Sequence, residues 1–112
     1  MNTKERKTES IVSIPFIKKC LKEAIYKMNN REKIKKVFLF GSYSKGTCTP
    51  NSDVDLFVDV EEGFSLFDLG DLQIELEKSL GKKVDIATNS HNEYFFKHIQ
   101  KEKIQLYERT ID

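Results

Sequence analysis

From Phe16 to Met28 apolar residues (Phe16, Ile17, Cys20, Leu21, Ala24, Ile25, Met28) recur every three or four positions, the period of one face of an α-helix. Pro15 suits the first turn, where its missing N–H costs nothing. Asn29 and Asn30 end the run. Val37 to Phe40 is continuously apolar and stops at Gly41, which predicts a short strand buried on both faces and central in a sheet. Residues 41–52, GSYSKGTCTPNS, are loop-forming, with room for one helical turn.

In the next segment Val54, Leu56, Val58 and Val60 alternate with Asp53, Asp55, Phe57 and Asp59. This period of two predicts a strand with one apolar face, and it sends Asp53 and Asp55 out of the same side. From Ser65 to Leu80 the stripe Leu66, Leu69, Leu72, Leu76, Leu80 predicts a helix, capped by Ser65 and ended by Gly81. Gly70 costs that helix about 1 kcal/mol relative to alanine. KKVDIAT (82–88) is short and alternating and predicts a third strand, with Val84 and Ile86 on one face and Asp85 on the other. Ser90 and Glu93 form a capping-box pattern ahead of a further helix, EYFFKHIQKEK, and IQLYE predicts a closing strand.

The length of 112 residues leaves room for one core. We take 1–10 as a polar N-terminal tail and 11–112 as a single domain. A balance of 19 basic against 18 acidic side chains removes the footprint of a protein that coats nucleic acid by neutralising many phosphates. No apolar run reaches the roughly 18–20 residues of a membrane span, and MNTKERKTES has no signal-peptide core; a cytoplasmic location with no membrane association is expected. Cys20 and Cys48 are neither a C-x-x-C pair nor accompanied by clustered histidines, so both are expected to be reduced and outside any zinc site.

The chemistry concentrates around Gly41 and the D-x-D of the second strand. Magnesium takes hard oxygen ligands, commonly one or two carboxylates plus phosphate oxygens and water. Asp53 and Asp55 are separated by roughly 6–7 Å of backbone, a gap that their side chains can close around one ion. Asp59 shares their parity but lies about 13 Å beyond Asp55. Asp85 can supply a third carboxylate, either to the metal cluster or as proton acceptor. Gly41 permits close backbone approach to a ligand and Ser42 offers a hydroxyl beside it, which together suit a triphosphate. Either feature alone is more often an ordinary turn or a solvated strand face.

In combination, Gly41-Ser42, ten intervening residues and Asp53-Val54-Asp55 resemble the G-S-x10-D-x-D signature of the DNA-polymerase-β-like nucleotidyltransferase superfamily. The likeness to its minimal nucleotidyltransferase group extends along residues 34–108. That resemblance implies an α/β (α+β) nucleotidyltransferase fold, a small mixed β-sheet flanked by helices. It implies Asp53, Asp55 and Asp85 as catalytic and metal-binding residues, Gly41 and Ser42 at the phosphates, Mg2+ (two ions) as cofactor and ATP as substrate. Members often carry arginine in the G-S-x-x-x-G loop; here Lys45 is the candidate replacement, without bidentate phosphate contact.

The same resemblance implies an antitoxin that transfers AMP to a tyrosine of a HEPN-type ribonuclease toxin. The alternatives are an antitoxin that neutralises its partner by binding alone, and transfer to a small molecule such as an aminoglycoside, for which the acidic run Asp59, Glu61, Glu62 is compatible, although such a run is usually only a solvated edge. His91 and His98 lack a carboxylate at obvious spacing and are read as surface residues. Tyr43, Tyr94 and Tyr107 are possible AMP acceptors with nothing to single one out. Tyr94, Phe95 and Phe96 are read as core and partner-facing surface, since adjacent helix positions cannot share one face.

Overall fold

The computed structural model describes residues 11–88 and 103–110. The elements run α1 (Ile14–Tyr26), a 3-10 turn (Arg31–Lys33), β1 (Ile34–Phe40), α2 (Ser42–Lys45), β2 (Val54–Val60), α3 (Leu66–Leu80), β3 (Val84–Thr88) and β4 (Ile104–Glu108). The strands form one four-stranded sheet in the order β3-β2-β1-β4. β1 pairs antiparallel with β2 and β4, whereas β2 and β3 are parallel. The sheet is therefore mixed, and α3 supplies the crossover that a parallel pair requires.

α1 starts at Ser13, whose side chain accepts from the Phe16 N–H, and Pro15 lies in the first turn. Its buried stripe is Ile17, Cys20, Leu21, Ala24 and Ile25. Phe16, expected in that stripe, is exposed: it lies in the first turn of the helix, more than 90° around the axis from the stripe's centre by the roughly 100° rotation per residue. Met28 falls beyond the helix, which closes at Tyr26 with Lys27 as its cap. β1 begins at Ile34, three residues before the apolar run, because buried Ile34 pairs with Val60; this strand is one of the two interior ones, as expected.

α3 carries the expected Ser65 cap and Gly81 end, with Gly81 left-handed at φ 68°. Asp68 completes a reciprocal capping box. Of the predicted stripe, Leu72, Leu76 and Leu80 are buried, and full burial of each leucine contributes roughly 1.5–3 kcal/mol. Leu66 is exposed, as are Phe67 and Ile74, because the helix turns that side away from the sheet. The helical stripes of α1 and α3 meet Val37, Leu39, Val54, Leu56, Val58, Val84 and Leu106 in one core on one sheet face.

Phe57 corrects the expectation of one apolar face: it lies on the aspartate side of β2 yet is fully buried. Its register partner Phe38 is also buried, beneath the Lys103 ammonium at 4.4 Å from the ring centroid. This second face is thus covered in part by the chain entering β4. The expected Ser90–Glu93 capping box and its helix, with His91, Tyr94, Phe95, Phe96 and His98, and the polar tail 1–10, lie outside the described residues.

Candidate active site

Asp53 immediately precedes β2 and Asp55 is its second residue. Because β1 and β2 are antiparallel with Phe40 opposite Asp55, the chain leaving β1 passes over Asp55. That next residue is Gly41, and two observations demand glycine there. Its φ is +75°, and a Cβ added to it would overlap Asp55 Oδ2, with Asp55 Cγ and Cβ at 3.2 and 3.3 Å. Gly41 O then accepts from Ser44 Oγ at 2.9 Å and from the Lys45 N–H at 3.1 Å, so the single turn of α2 closes directly above the carboxylate. Ser42 is its first residue, and left-handed Gly46 ends it.

Asp85 comes from β3, in register with Asp55 across the parallel pair. Val54, Leu56 and Val84 face the helices, so Asp55 and Asp85 share the opposite face. The start of β3 is held from both sides. Lys83 O accepts from the Val54 N–H at 2.9 Å. On the outer edge, Gln73 Nε2 donates to Val84 O and the Val84 N–H donates to Glu77 Oε2, each at 2.9 Å. Two α3 side chains thereby satisfy an edge backbone that would otherwise be open, and they fix where Asp85 stands.

Burial, then the neighbouring Asp85 and Asp53 carboxylates, raise the Asp55 carboxyl above the ordinary carboxylate range. All three causes disfavour negative charge at one point, and a cation there relieves them. Asp59, by contrast, faces Lys35 with Nζ–Oδ1 3.8 Å. Glu61 pairs with Arg109 at 2.6 Å. Two members of the acidic run are therefore already engaged in ion pairs. Tyr43 is buried, its hydroxyl accepting from the Val12 N–H at 3.5 Å, which closes it to modification; Tyr107 is half-buried on β4.

The family model described as "Polymerase beta, Nucleotidyltransferase" matches residues 22–112. The chain belongs to the polymerase β nucleotidyltransferase family. A relative provisionally named protein adenylyltransferase MJ0126, from Methanocaldococcus jannaschii, is 34% identical over 92 residues, 80% of this chain and 94% of its own. A solved structure described as a minimal nucleotidyltransferase superposes with a TM-score of 0.68 at 30% identity, covering 85% of this chain and 97% of the other. The fold is also shared by a chain in a complex described as a tri-AMPylated Shewanella oneidensis HEPN toxin with MNT antitoxin, at TM-score 0.59 and 19% identity over 83% of this chain and 73% of that one.

The donor chemistry of this nucleotidyltransferase fits magnesium: oxygen ligands only, crowded enough that their mutual repulsion is felt at Asp55. Among the described residues, no three carboxylate, imidazole or thiol groups are gathered closely enough to hold an ion by themselves. Two carboxylates completed by phosphate oxygens and water meet the octahedral requirement without a third. Lys45 is exposed at the last position of α2.

Three features of the nucleotidyltransferase site escaped sequence reasoning. Phe40 sits opposite Asp55, a pairing that only the register reveals. Gln73 and Glu77 bind Val84 through a tertiary contact with no local signature. Lys82 is buried, and here a signal existed: it has the parity of Val84 and Ile86 in β3, so the alternation already placed it on the core side.

Proposed function

We propose that this protein is a magnesium-dependent protein adenylyltransferase that moves AMP from ATP to a tyrosine hydroxyl of a HEPN-type ribonuclease toxin, acting as its antitoxin. The observation that carries the reading is the pairing of Asp55 with Asp85 across β2 and β3, with Asp53 beside them and Gly41 directly above. A named adenylyltransferase relative covering most of the chain and a fold shared with a complex of an AMPylated HEPN toxin support the nucleotide and the acceptor. Dependence on ATP fits a cytoplasmic location.

In this reading Asp53 and Asp55 would hold magnesium, its remaining positions filled by phosphate oxygens and water. When bound, the metal supplies neutralisation of charge on the α-phosphoryl and leaving oxygens. Gly41 leaves room for the β- and γ-phosphates and Ser42 donates to them; Lys45 adds a single cation without the bidentate contact of an arginine. The acceptor oxygen bonds to the α-phosphorus as the bond to the bridging oxygen breaks, and pyrophosphate departs with that electron pair. Asp85, the exposed member of the pair, takes the hydroxyl proton.

The test is intact-mass spectrometry of the neighbouring gene's product, after incubation with this protein, ATP and magnesium, with the Asp53→Ala/Asp55→Ala variant alongside. AMP-sized increments with wild type alone establish protein AMPylation. An unchanged mass, with toxicity neutralised by both variants, overturns it in favour of inhibition by binding.

A further inference from the structure

Lys82 and Thr88 are the only buried polar or charged residues among those described. Removing an ammonium from water is costly unless it is well bonded, and lysine is seldom buried for packing alone. Lys82 Nζ donates to the carbonyl oxygen of Pro50, 32 positions earlier in the chain. Pro50 lies in a turn that is tied to itself: the Thr49 N–H donates to Ser52 Oγ at 2.8 Å, the Asn51 N–H to Thr49 Oγ1 at 3.3 Å and the Ser52 N–H to Thr49 O at 3.0 Å. Three residues after Pro50 comes Asp53. One residue later the Val54 N–H donates to Lys83 O. Asp53 is therefore bracketed by two bonds to one short stretch, Lys82–Lys83, which itself leads to Asp85.

We infer that Lys82 is a positioning residue that locks the Thr49–Ser52 turn to the start of β3 and so sets Asp53 against Asp55 and Asp85. This rests on the adenylyltransferase reading for its functional consequence. The bond joins the two segments that deliver the carboxylates, and among the described residues the backbone pairing between these segments begins only at Val54. Without the ammonium, the Pro50 carbonyl loses a buried donor and the turn entering β2 is released.

The experiment compares wild type, Lys82→Met and Lys82→Arg by amide hydrogen exchange, by Mn2+ binding followed through water-proton relaxation, and by AMP transfer at saturating ATP. Lys82→Met is expected to speed exchange at residues 51–54 and to weaken Mn2+ binding, each by about tenfold, while α1 and β1 amides keep their rates. Transfer falls through kcat, and Lys82→Arg, which keeps a cationic donor at that depth, restores exchange and Mn2+ binding toward wild type. Wild-type exchange and Mn2+ binding in Lys82→Met overturn the inference, as does exchange that rises equally in α1 and β1, which marks a merely structural lysine. Local loosening with weakened Mn2+ binding, in a protein whose wild type transfers no AMP, upholds the positioning role and removes the adenylyltransferase reading instead.

Discussion

Asp55 and Asp85 stand opposite each other across a parallel strand pair, although 30 positions separate them in the chain. Each strand projects its aspartate to the face away from the helices. Removing the charges that meet there, in Asp53→Ala/Asp55→Ala, is expected to lower AMP transfer on the order of a hundredfold to ten-thousandfold. Initial rates with the HEPN partner check this; wild-type rates in the double variant would sink the mechanism.

The raised Asp55 carboxyl has a stability consequence of definite sign. A folded-state value above the unfolded one means that the folded chain holds the proton more tightly between the two, so stability falls as pH rises through that window and stays lower above it. Asp55→Asn removes the penalty. The variant is expected to melt higher than wild type at pH 7, with the difference shrinking as the pH falls toward the ordinary carboxylate range, while losing transfer. Thermal melts of both proteins across pH, before acid unfolding, provide the comparison.

Gly41→Ala is expected to damage fold and site together. The left-handed backbone and the overlap with Asp55 act in the same direction, at a cost of roughly 1–3 kcal/mol. Relief of the overlap requires the Asp55 carboxylate to move, so transfer falls even at temperatures where the variant is fully folded. Denaturant melts paired with activity at low temperature separate the two effects.

Gly70→Ala should do the reverse. Gly70 is inside α3, has no positive φ, and a Cβ there meets nothing within 4 Å. The substitution is expected to stabilise by up to about 1 kcal/mol. A melting temperature at or below that of wild type contradicts it.

Ser65→Ala removes one half of the capping box, in which Ser65 Oγ accepts from the Asp68 N–H at 3.1 Å and the Ser65 N–H donates to Asp68 Oδ2 at 2.9 Å. A loss of about 1 kcal/mol follows, roughly 4–8 °C in a domain of this size. Chemical and thermal denaturation measure it, and transfer well below the melting transition is expected to remain.

What the sequence determined by itself was local. Spacing of three and four marked α1 and α3, spacing of two marked β2 and β3, and Ser65 and Gly81 bounded a helix because caps and left-handed ends are chosen by the residue at that position. The Gly41-Ser42 and Asp53-x-Asp55 pattern was legible because the same few residue types serve both the backbone and the chemistry. What only the tertiary structure decided was which distant groups meet. The strand order and parallel register put Asp85 opposite Asp55; helix rotation left Leu66 and Phe16 in solvent; and packing buried Phe57 and joined the Lys82 ammonium to the Pro50 carbonyl. Periodicity states which residues share a face, but the energy that chooses what covers that face comes from contacts between segments far apart in the chain.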